Sequence, residues 1–207
     1  MQPHRTTSDL DNLIDEIQFE MPEAAYDAIV LHLRRSIIKF CEDSHYWQED
    51  IGPVRVVSVS NSYDLPLSRS IALVGVMSVS TADKVFERCE TDDVKYRFWQ
   101  DSPFSILLYP NDEFIGQDLS IAAALKPTIQ GDAFKVSESL VEQYRDALIA
   151  GAKAALYKTP RKPWTDLNQA QINDSIFDAI ASDALRHVAR GHLRVPDRTP
   201  NKVREFY

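Results

Sequence analysis

The segment Ser139–Trp164, SLVEQYRDALIAGAKAALYKTPRKPW, constrains the fold of this chain most. Leu140, Tyr144 and Leu148 recur every four residues, with Ala147, Gly151, Ala154 and Ala155 in a narrow strip beside them. Side chains this small let a second backbone approach closely. A glycine inside a helix costs about 1 kcal/mol relative to alanine, so Gly151 predicts tight packing against a neighbour. Thr159, Pro160 and Pro163 end the helix, because proline has no N–H to donate and clashes with the preceding turn. Trp164 follows as an aromatic anchor.

Upstream, Ser8 is placed to cap a short helix carrying Leu10, Leu13, Ile14 and Ile17. Pro22 suits the first turn of a longer helix. Along it Tyr26, Ile29, Val30, Leu33, Ile37, Phe40 and Cys41 keep the 3.6-residue period up to Ser44 or His45. Tyr46 and Trp47 are expected over its end. From Gly52 to Pro127 short β-branched and aromatic runs take over, the strongest being IALVGVMSVS at Ile71–Ser80. Breaks at Thr91-Asp92-Asp93, Asp101-Ser102-Pro103 and Tyr109–Asp112 leave no room for crossover helices, which favours antiparallel pairing. One helix is expected from Ser137 or Ser139 to about Lys158. Another, capped by Thr165 or Asp166, buries Ala170, Phe177, Ile180, Ala181, Ala184 and Val188.

These elements predict an α+β chain. Residues 1–50 and 131–190 form an antiparallel bundle of about four helices, residues 51–130 an inserted antiparallel β-sandwich or barrel, and residues 191–207 an extended C-terminal arm. With 207 residues, 44% of them hydrophobic, the chain can bury a real core. No apolar run approaches the ~18 residues of a spanning helix, and the first residues hold no signal-peptide core, so a soluble cytosolic product is expected. Cys41 and Cys89 make no disulfide framework.

Charge is unevenly spread. The net charge is −8, yet residues 186–207 hold six basic residues against Asp197 and Glu205, a net +4 that leaves −12 on the rest. An acidic body disfavours nonspecific DNA binding, and the basic end calls for an acidic partner surface.

Chemical motifs are sparse. Cys41 and His45 stand four apart without a second ligand pair at zinc spacing. His187 and His192 sit among arginines. Glu90, Asp92 and Asp93 read as a solvated hairpin tip. The sequence has no nucleophile elbow and no phosphate-cradling glycine loop, and the Asn173-Asp174-Ser175 sequon falls inside a helix. No catalytic residue, cofactor or metal ligand is assigned.

Several of these segments together resemble the head-to-tail adaptor (connector) family of tailed phages, whose members form a ring beneath the portal. The likeness lies in Arg34–Trp47 (RRSIIKFCEDSHYW), Tyr63-Asp64-Leu65-Pro66, Tyr109-Pro110, and above all Gly151-Ala152 through Pro163-Trp164. It extends from about residue 25 to residue 190, but Asp101-Ser102-Pro103 stands where the family carries a glycine-plus-proline segment. The resemblance implies a non-enzymatic virion protein of the neck, assembled in the host cytoplasm. It further implies a homo-oligomer, twelve copies to match the portal, with the portal ring and a tail or neck protein as partners. DNA would pass through its channel without specific binding. Arg186, Arg190, Arg194, Arg198, Lys202, Arg204, Phe206 and Tyr207 are then the expected portal-binding residues. Two other readings remain: a phage-encoded module binding a host protein, and a small hydrolase using His45, Asp92 or Asp93.

Overall fold

Leu13, Ile14 and Ile17 recur at helical spacing and are buried together in α1 (Asp11–Glu20), the first helix of a computed structural model of the chain. The structure describes residues 10–57, 61–88, 96–109, 113–129 and 134–190, and the backbone alone of 4, 5 and 112. Ser8, the expected cap of α1, lies outside them.

Helix α2 (Tyr26–Ser44) begins four residues later than Pro22 suggests. The side-chain amide of Gln18 reaches forward to the carbonyls of Pro22 and Ala24, both at 3.2 Å, and Ala24 N–H donates to Met21 O at 3.0 Å. Those bonds hold residues 21–25 as a turn. Tyr26, expected in the buried stripe, is 54% exposed as the first helical residue. The helix ends where His45 turns left-handed (φ 53°) and its N–H donates to Cys41 O. Trp47 is buried just beyond.

Strands β1 (His4–Arg5), β2 (Gln48–Arg55), β3 (Ser62–Asp64), β4 (Ile71–Ser80) and β5 (Val85–Arg88) follow the order of the chain around these helices. Next come β6 (Arg97–Ser102), β7 (Ser105–Tyr109), β8 (Asp118–Pro127) and β9 (Val136–Ser137). Seven of them make one mixed sheet in the order β2-β8-β4-β5-β6-β7-β3, while β1 pairs with β9. Register shifts at Leu73/Gly75 and Val76/Ser78 bend β4. The sheet curls into a half-barrel, so that Leu73 N–H donates to Pro103 O on the β6–β7 turn at 2.9 Å.

This corrects the expected architecture. Among the described residues the helices are five, and the β region is a single curled sheet rather than a sandwich inserted into a four-helix bundle. Nor is it wholly antiparallel, since β5 and β6 pair in parallel through Glu87↔Arg97 and Arg88↔Phe98. That register places Phe86, Tyr96 and Phe98 on one face, where Phe86 and Tyr96 stack edge-on with Phe114 at 4.9 and 5.6 Å. Among the described residues two pairs are in register, so the chain need return only about 7 Å at the usual strand rise. No crossover helix is required.

The expected single helix after Ser137 is two: α3 (Glu138–Gln143) and α4 (Arg145–Tyr157), broken at Tyr144 (φ −118°, ψ 24°). The Tyr144 ring stacks on Phe40 and Tyr46, with centroids 4.8 and 4.7 Å away. That aromatic contact is made where the backbone leaves the helix. The last helix, α5 (Leu167–Ala189), is capped by Asp166, whose carboxylate accepts from Asn168 and Gln169 N–H at 2.9 and 3.0 Å. Of its expected buried stripe only Ile180 is partly exposed.

One hydrophobic cluster runs from Leu10 through β8 to Ala184, so helices and sheet share a core. At its seam Leu125 N–H donates to Trp47 O at 2.8 Å, and Lys126 pairs with Glu42. Gly151 faces α2 and α5. A Cβ there would stand 2.7 Å from Phe177 Cδ2 and closer still to Ser36 Oγ.

Candidate interaction surface

On α5 the buried stripe leaves an opposite row exposed: Ile172, Ile176, Ala179, Asp183, Arg186 and Arg190, in alternating steps of four and three. Ile172 is 52% exposed and Ile176 43%. The two arginines that sequence assigned to a partner surface therefore do face solvent, in the last turns of the helix. Arg186 donates to Asp183 Oδ1 at 3.1 Å, and the cations complement the helix dipole there. Arg194, Arg198, Lys202, Arg204, Phe206 and Tyr207 lie outside the described residues. So do Cys89, Glu90, Asp92, Asp93 and His192.

Across the helical layer, α1 exposes Asp11, Asp15 and Phe19 at steps of four, with Phe19 88% exposed. Its other carboxylates reach across to α4: Glu16 pairs with Arg145 and Glu20 with Lys153. Sequence reading missed Phe19, Ile172 and Ile176. Their signal was phase. Each is apolar but lies outside its helix's buried stripe.

The remaining candidates are structural. The Cys41 thiol is fully buried, and burial pushes its pKa up, which makes it unreactive. His45 is a helix C-cap whose suggested acidic partners lie outside the described residues. Among the described residues no three His, Cys, Asp or Glu side chains gather as a metal ion would require. Asn173, inside the sequon, is buried and donates to Gln169 O at 2.8 Å. No helix of the described residues is long and apolar enough to cross a membrane.

A cavity of about 180 Å³ opens between α2, α4 and α5, lined by His32, Lys39, Lys158, Asp174, Phe177 and Asp178. Its lysines are already engaged: Lys39 with Asp43 and over the Phe177 ring, Lys158 with Asp174. His32 Nδ1 is buried with no hydrogen-bond partner among the described residues. Burial, and then the neighbouring Arg35, lowers the His32 pKa below its ordinary 6.5. Unfolded chain thus binds this proton first as the pH falls through 6.5, so stability should decline on acidification through that window. His32→Gln should flatten that part of the curve of unfolding free energy against pH. An unchanged slope would show that His32 titrates alike in both states.

Comparison with protein-family models and with curated proteins finds no match for this chain.

Proposed function

We propose that the protein is a virion structural protein, a head-to-tail adaptor that forms a ring under the portal of a tailed phage and docks the tail. The observation that carries this reading is the mount of the basic end. Arg186 and Arg190 are exposed in the final turns of α5, and α5 is pinned to α2 and α4 where Phe177 meets the bare Gly151 backbone. A rigid helix thus delivers the basic run that continues through Arg194, Arg198, Lys202 and Arg204 to Phe206-Tyr207. Arginine and aromatic anchors are the residues that dominate interfaces, and repeated copies engaged together gain avidity. In this reading the arm grips an acidic portal surface, the sheet side meets the tail, and twelve copies match the portal. The acidic remainder of the chain would not retain passing DNA by its phosphates.

Deleting residues 194–207 tests the arm. The shortened chain should melt as the full chain does, yet bind portal rings at least tenfold more weakly, since each anchor contributes ~1–4 kcal/mol. Capsids assembled with it should fail to retain tails. Full affinity after the deletion would move the contact to the helical body. An intact chain that ignores portal rings would end the adaptor reading.

A further inference from the structure

We infer that the cavity between α2, α4 and α5 is a binding site for a small apolar α-amino acid, with Arg35 holding its carboxylate, Asp178 its ammonium, and Phe177, Gly151 and Ala155 receiving its side chain. The inference stands apart from the adaptor reading and uses none of the residues assigned there to a partner.

Two observations carry it. The first is a pair of opposite charges left unjoined. Arg35 of α2 and Asp178 of α5 line the same cavity, yet among the described residues neither forms an ion pair or a hydrogen bond, with the other or with a third group. The remaining charges on the wall are already matched, Lys39 by Asp43 and Lys158 by Asp174. Asp178 acts on Lys39 only through space, behind the bond to Asp43. His32, three residues before Arg35, is kept neutral by burial, so the guanidinium is the cation that a carboxylate would meet. One cation and one anion thus face a common space from different helices without meeting. A bare anion there would face Asp178 and a bare cation would face Arg35, whereas a ligand carrying both charges joins the two. A guanidinium takes a carboxylate through two parallel bonds.

The second is the floor. Gly151 and Ala155 stand one turn apart on the small face of α4, and with the buried Phe177 they give the cavity an apolar base. Neither carries a side chain large enough to fill the space, which stays open at about 180 Å³. An apolar cavity of roughly 150 Å³ takes a benzene ring. The space therefore suits a side chain the size of leucine or phenylalanine, with its two charged groups held at the rim.

Calorimetric titration of the full chain at neutral pH with L-phenylalanine, L-leucine and glycine tests the site. Phenylalanine or leucine should bind one to one with a Kd below about 10 mM. Glycine, which lacks the apolar body, should bind more weakly by roughly tenfold or more. Arg35→Gln and Asp178→Asn replace exposed side chains, so melting should hold while each weakens binding by roughly tenfold or more. Ligands trimmed of one charge assign the contacts. N-acetylphenylalanine, without the ammonium, should bind wild type and Asp178→Asn alike, and phenethylamine, without the carboxylate, should bind wild type and Arg35→Gln alike. No saturable heat from either apolar amino acid overturns the proposal. So does glycine binding as tightly as they do, a trimmed ligand matching phenylalanine on wild type, or either variant keeping full affinity.

Discussion

Gly151→Leu is expected to cost more than ~2 kcal/mol of stability or to abolish soluble expression, because overpacking a close contact forces the backbone apart. The neighbours leave no slack. A Cβ at residue 151 would lie 2.7 Å from Phe177 Cδ2 and nearer to Ser36 Oγ. Ser36 cannot simply rotate away, since its buried hydroxyl donates to Leu148 O at 2.8 Å across the α2–α4 contact. Moving it would break that bond and strand its buried hydroxyl, and moving Phe177 would lift α5. Urea unfolding of the variant reads the loss directly as a lower midpoint. An unchanged midpoint would mean that the helices separate at little cost and that Gly151 is not where they are held.

Phe40→Ala should cost ~3–5 kcal/mol, the range for removing a buried phenyl ring. Phe40 is fully buried in α2, with ring centroids 4.8 Å from Tyr144 and 6.0 Å from Phe177. It therefore touches the break between α3 and α4 and the buried face of α5 together. Deleting it opens a void that none of the three can fill without shifting. The expected signature is a large drop in unfolding midpoint at unchanged denaturant slope. A loss below ~1 kcal/mol would show that the junction collapses around the missing ring, and that the Tyr144 break is not held by aromatic packing.

What could be read along the chain follows a pattern. The C-terminal end of α2, the cap of α5, the span of β4, the buried row of α1 and the small face of α4 are all local. Each depends on periodicity, a cap or a β-branched run that a window of sequence contains. Pro22 misled because the competing force was also local but of another kind: Gln18 bonds to the turn carbonyls and delays α2 to Tyr26. The helix break at Tyr144 was not readable, since its cause is a pair of rings, Phe40 and Tyr46, about a hundred residues earlier.

The same holds for the candidate surface. Arg186 and Arg190 were legible as a stripe at helical spacing, because charge and period suffice to find them. Phe19, Ile172 and Ile176 were not, because an apolar residue on a helix is read as core until the buried face is known. The sequence by itself determined the helix or strand character of most segments, where the small face of α4 lies and where basic charge accumulates. These are properties of neighbouring residues and their side chains. Only the tertiary structure decided that β5 and β6 run parallel, that the sheet curls until Leu73 reaches Pro103, and that α1 and α5 turn unlike faces outward. Those outcomes depend on which distant side chains share one core, and that competition is resolved only when the whole chain packs.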